Sequence, residues 1–93
     1  MADISVERRS VEKFLVTVTD DAGTTTHAVT VTPADLLKYG GEHADTEVLL
    51  VKSFEFLLDH EPHQFIRENF EINEIERFFP EYPMDVRRRL GLE

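Results

Sequence analysis

The sequence predicts an α+β fold in which an N-terminal antiparallel β-hairpin packs on four to five short helices grouped around a central helix. Three observations lead there. Residues 11–32 alternate apolar and polar side chains in two β-branched runs about a glycine-containing loop, which is the pattern of a hairpin. Residues 46–61, TEVLLVKSFEFLLDHE, are the longest apolar-rich stretch without Gly or Pro, enough for about four helical turns. Residues 62–90 are broken by Pro62, Pro80 and Pro83 and by capping residues, which divide them into short helices. A chain of 93 residues suits one domain with one modest core, so residues 1–93 are expected to fold as a single unit.

Taken in order, residues 1–10 show no clear period and are expected to be a loosely ordered lead-in. In the first hairpin strand Phe14, Val16 and Val18 share one face, with Leu15, Thr17 and Thr19 on the other. Asp20-Asp21-Ala22-Gly23 supplies the turn, Gly23 being able to take positive φ. In the second strand His27, Val29 and Val31 lie opposite Ala28, Thr30 and Thr32. An isolated hairpin is marginal in water, so one face should cover the central helix.

Thr32-Pro33-Ala34-Asp35 reads as a helix start, with Thr as N-cap, Pro in the first position and an acid in the first turn. That helix spans 34 to about 39, and Gly40-Gly41 stops it. Asp45 or Thr46 then caps the central helix. At about 100° per residue, Leu50, Val51, Phe54, Leu57 and Leu58 form one apolar face, and Leu49 and Phe56 add a second stripe. Lys52, Glu55 and Asp59 make a polar strip into which Val48 also falls. A helix this apolar should be covered on more than one side.

Beyond it, Pro62 to Glu68 is expected to be a short helix that turns Phe65 and Ile66 inward. Asn73 with Glu76 resembles a capping box for a helix that holds Ile75, Phe78 and Phe79 and ends at Pro80. Pro83 to Leu90 is the last helix, with Arg87, Arg88 and Arg89 at the end where the helix dipole favours cations. Leu92 and Glu93 receive no structural role.

The net charge is −9. Basic residues gather near the two ends (Arg8, Arg9, Lys13 and Arg87 to Arg89), while Phe14 to Val86 carries fifteen acids against four bases. Such a surface repels phosphate backbones and acidic membranes, and it favours solvation or a partner with a basic surface. No run of about eighteen apolar residues provides a membrane span, and the N-terminus lacks a secretory h-region. With no cysteine there is neither a disulfide framework nor a Cys-based zinc site. The expectation is a cytoplasmic protein that binds neither nucleic acid nor membrane.

Among chemical side chains, His60 and His63 come nearest to a metal pair, but they are three apart with Pro62 between them, and His27 and His43 have no spacing that enlists them. They are read as surface histidines. Glu71, Glu74 and Glu76 look like helix N-terminal and surface acids rather than an acid–base couple. No nucleophile elbow and no glycine-rich phosphate loop is present; Gly40-Gly41 stops a helix, whereas a phosphate loop starts one. No catalytic residue, cofactor or metal is assigned. Phe78-Phe79-Pro80-Glu81-Tyr82-Pro83 is the most unusual local composition. It reads either as a corner whose rings close the core, the stronger reading in a small domain, or as a docking surface. On the second reading Phe78, Phe79 and Tyr82 are the partner-binding residues.

Two resemblances accompany these readings. S-F-x-F-L-L-x-x-E-P at Ser53 to Pro62, followed by I-x-x-F-F-P-E-Y at Ile75 to Tyr82, resembles a family of small uncharacterised bacterial and archaeal proteins, a domain of unknown function. That likeness implies a fold with a preceding hairpin and supplies no activity. The order of a strand at 29–33, a helix at 34–39 and a helix at 46–60 more weakly resembles ribbon-helix-helix DNA-binding proteins. Against that likeness stand a short first helix, a strand already partnered in the chain, and outward Thr30 and Thr32 where Arg or Lys would be wanted. The leading expectation is a non-catalytic protein–protein interaction domain. The alternatives are a ribbon-helix-helix-like regulator or antitoxin-type protein, and an enzyme without recognisable motifs.

Overall fold

The computed structural model describes residues 2–92. Four strands, β1 (Asp3–Arg8), β2 (Lys13–Asp20), β3 (Gly23–Thr30) and β4 (Asn69–Glu71), form one mixed sheet in the order β1-β2-β3-β4. The first three are antiparallel neighbours, and β4 runs parallel to β3. Side chains alternate across a sheet, so the register stacks Val6, Val16 and His27 in one row and Phe14, Val29 and Phe70 in another, all on the inner face. The outer face carries Ser5, Thr17 and Thr26 in register.

The hairpin lies where the alternation placed it. Its loop is Asp21-Ala22, with the Ala22 amide donating to Asp20 Oδ1 at 2.8 Å and Gly23 at φ 129°. Two expectations fail around it. Residues 3–8 are a strand, not a loose lead-in; only Ile4 and Val6 alternate there, too short a period to read, yet they cover the β2 edge and pack on the core. The hairpin is therefore the middle of a larger sheet.

Helix α1 (Pro33–Gly40) starts with a full capping box: Asp35 N donates to Thr32 Oγ1 and Thr32 N donates to Asp35 Oδ2. It ends at Gly41, whose φ of 89° suits glycine. Helix α2 (Thr46–Leu58) is capped by the Asp45 carboxylate, which accepts from Glu47 N at 2.8 Å, and it stops short of the expected residue 61. Leu49, Leu50, Ser53, Phe54, Phe56 and Leu57 are all buried, so α2 is covered on two sides. Towards the sheet, the Phe54 ring lies 5.3 Å from His27 and 6.2 Å from Phe70.

The chain then makes a single 3-10 turn (His63–Phe65) and enters β4, followed by α3 (Glu74–Phe78) and α4 (Tyr82–Arg89). The expected helix over Pro62 to Glu68 is absent. Backbone bonds from Ala28 N to Glu68 O and from Ile72 N to Thr30 O draw this segment out along β3. Phe65 consequently turns outward while Ile66 turns inward. β4 escapes sequence reading because three residues carry no period. Asn73 is already helical and makes no side-chain cap; Glu74 Oε2 instead accepts from Glu71 N at 2.9 Å. On the side of α2 away from the sheet, Phe56 meets Phe79 and Tyr82 at 5.6 and 5.4 Å. Ser53 Oγ donates to Leu49 O and accepts from the Tyr82 hydroxyl at 2.6 Å. Leu92, given no role from sequence, returns a bond from its amide to Arg87 O and sits beside Gly41; Glu93 lies outside the described residues.

Among the described residues the architecture is thus α+β, a four-stranded mixed sheet with four helices. Among the described residues no helix is long and apolar enough to cross a membrane.

Candidate functional site

The segment that departs most from expectation lines an apolar concavity. Between the end of α2, the 61–67 segment, β4 and α3 lies a cleft of about 380 Å³. Its floor is Leu57, Ile66, Phe70 and Ile75, all buried, with half-buried Phe79 beside them. Its walls are two rings that the fold leaves in solvent, Phe65 at 73% exposure and Phe78 at 66%. Arg67 and Glu74 close one rim through a 2.8 Å ion pair, and Glu61 stands on the wall as well.

The backbone explains these placements. Pro62, at ψ 150°, ends the approach from α2, and the tight turn after it aims consecutive residues Phe65 and Ile66 in opposite directions. Helix α3 ends at Phe78, and the next residue, Phe79, leaves the helix at φ −132° and ψ 86° and turns in against Phe56, while Phe78 stays in solvent.

Of the three partner-binding candidates, only Phe78 is displayed. Tyr82 is fully buried, hydrogen-bonded to Ser53 with its ring 5.1 Å from Tyr39, and burial pushes its hydroxyl well above the usual tyrosine range. Phe79 packs edge-on against Phe56 and lies 4.8 Å from the His60 ring. The corner therefore closes the core with two rings and presents the third. Phe65, expected inside, is the second displayed ring, because the pairing of 69–71 with β3 draws the chain out of the helix that would have turned it inward.

A polar cluster adjoins the same segment. His27 and His63 are buried, at 1% exposure each, and so are not the surface histidines expected. They meet at Thr25 Oγ1, which lies 2.7 Å from His63 Nδ1 and 2.8 Å from His27 Nε2. The other nitrogens reach Asp20 Oδ1 at 2.9 Å (His63 Nε2) and Arg67 O at 2.8 Å (His27 Nδ1). Burial pushes the His27 imidazole below its ordinary value, while the bond to His63 holds the Asp20 carboxyl below the usual carboxylate range. His60 turns away to Phe56 O and Glu81, so His60 and His63 do not converge. Asp20, His63 and Thr25 contain the side chains of a nucleophile relay, but both faces of the Thr25 oxygen are taken by buried rings. The cluster ties the 61–68 segment to the hairpin.

Comparison with family models, with curated proteins and with solved structures finds no match for this chain.

Proposed function

We propose that this protein is a non-catalytic binding domain whose cleft between Phe65 and Phe78 receives a basic amphipathic segment of another protein. The observation that carries the reading is the pair of solvent-facing phenylalanines flanking an apolar floor. A ring left in water forgoes about 1.5–3 kcal/mol of burial energy, and displayed apolar patches around a cleft mark partner surfaces.

Charge favours the kind of occupant. From Glu61 to Glu81 the chain carries six acids against Arg67 and Arg77, and Arg67 is occupied by Glu74. An apolar anchor flanked by Lys or Arg would fill the cleft and meet this acidic surround, and charge complementarity would steer its approach. The same acidity argues against a nucleic-acid partner. On the ribbon-helix-helix reading a strand must pair with a second subunit, whereas β3 has β2 on one side and β4 on the other over Ala28 to Thr30.

The test is an NMR titration of the full chain with an amphipathic Leu/Lys peptide and its Leu/Glu counterpart. Shifts from the Leu/Lys peptide should map to Ile66, Phe70, Ile75 and Phe79, and the affinity should fall at least about tenfold in a Phe65→Ala/Phe78→Ala variant. Shifts lying elsewhere, equal binding of the acidic peptide, or unchanged affinity in the variant would each overturn the proposal.

A further inference from the structure

The two buried imidazoles present a proton-counting problem. Four contacts run from Asp20 through His63, Thr25 and His27 to Arg67 O, and each needs one hydrogen between its heavy atoms. Two neutral imidazoles and one hydroxyl supply three. Arg67 O can only accept, so His27 Nδ1 must carry a hydrogen; a neutral His27 then accepts from the Thr25 hydroxyl at Nε2. Thr25 Oγ1 must in turn accept from His63 Nδ1, while His63 Nε2 faces the Asp20 carboxylate. With His27 neutral, only a His63 protonated on both nitrogens satisfies the whole chain. The mirror arrangement, with the charge on His27, sets that charge against the Phe54 ring and a neutral carbonyl, away from Asp20.

The surroundings favour a cation here. Asp20 and Asp21 of the hairpin lie with Glu61 around a second depression that includes His63. Burial, the largest influence on His27, and the neighbouring His63 disfavour a charge on the His27 ring more than Arg67 O and Glu68 favour one, and α2 contributes the uncharged Phe54 ring. Gln64 Nε2, at 3.4 Å from His63 Nε2, can only donate and makes no hydrogen bond to a ring nitrogen that gives its own hydrogen to Asp20 at 2.9 Å. The Arg67 guanidinium, the nearest cation along the segment, is turned to Glu74.

We infer that Asp20, His63, Thr25 and His27 hold one extra proton between them, and that this proton latches the 62–68 segment, with the Phe65 wall of the cleft, to the hairpin. When it is lost, one of the four contacts sets lone pair against lone pair at 2.7–2.9 Å, and the segment loosens. Alkaline pH would therefore unfasten one wall of the cleft. This bearing on partner binding rests on the reading of the cleft as a docking site; the latch itself does not.

Ring-nitrogen NMR of the full chain tests it, read together with amide protection factors corrected for intrinsic exchange. Near neutral pH, His63 should show both nitrogens protonated and His27 only Nδ1. As pH rises and the cluster loses its extra proton, protection at Ile66, whose amide bonds to His63 O, should fall at least tenfold while that of the β2–β3 hairpin holds. Thr25→Val should produce the same local loss at neutral pH. Two neutral rings at neutral pH, a charge on His27 with His63 neutral, or protection at Ile66 indifferent to both pH and Thr25→Val would overturn the latch. The Leu/Lys peptide, titrated into the same samples, separates the two proposals. Local loosening without any peptide binding leaves the latch standing and removes the docking reading; pH-independent binding with neutral rings does the reverse.

Discussion

Phe54 shows most clearly how one residue is fixed by two layers. It is fully buried, with His27 and Phe70 towards the sheet and α2 behind it. Phe54→Ala should cost about 3–5 kcal/mol through lost transfer energy and a cavity. The neighbouring Glu55 lies in the polar strip, 3.5 Å from Lys52, and Glu55→Ala should cost about 0.5 kcal/mol or less. Denaturant melts of the two variants read this directly. His27 gives a prediction of opposite character, because it is buried and burial lowers its proton affinity. The unfolded chain takes up that proton at pH of about 6.5, whereas the folded protein resists until lower pH. Between those values the unfolded state binds more protons, so stability falls as pH falls. Melts read the His27 contribution by difference: on going from pH about 7.5 to about 5.5, the stability of the parent should change less favourably than that of His27→Gln.

At the scale of elements, Gly40 at the end of α1 tests a close approach. Glycine to alanine in a helix normally gains about 1 kcal/mol. Here an added Cβ would fall 2.5 Å from Ala44 Cβ, closer than the packing allows. Gly40→Ala should therefore destabilise, by about 1–3 kcal/mol, and adding Ala44→Gly should restore most of the loss in thermal melts. The elements visible in the sequence were those whose signals are local and long enough. The hairpin alternates over eight residues a strand, α1 begins with Thr32-Pro33 and its capping Asp35, and the two apolar stripes of α2 require two covering layers. What escaped was set by tertiary pairing. β1 and β4 exist because β2 and β3 offer edges, and neither has enough alternating residues to announce itself. The same pairing drew out 66–71, so the expected helix gave way to a turn that displays Phe65. The site was legible by half, since Phe78 was a candidate and Phe65 was placed in the core. The histidine cluster joins residues 25, 27 and 63, a long-range meeting that spacing cannot foresee.

The whole molecule divides its seven phenylalanines unequally. Phe14, Phe54, Phe56 and Phe70 are buried and Phe79 is half-buried, all within one core; Phe65 and Phe78 stand apart on either side of a cleft. On a chain of net charge −9, these two rings and the floor between them form an apolar surface within an acidic surround. The central claim is that they are displayed for a partner and do not hold the fold. A denaturant melt of the Phe65→Ala/Phe78→Ala variant beside Phe54→Ala tests that claim most directly. The double variant should stay within about 1 kcal/mol of the parent, as surface changes do, while Phe54→Ala loses about 3–5 kcal/mol. A double variant destabilised as severely as Phe54→Ala would show that the two rings close the core, contradicting the account.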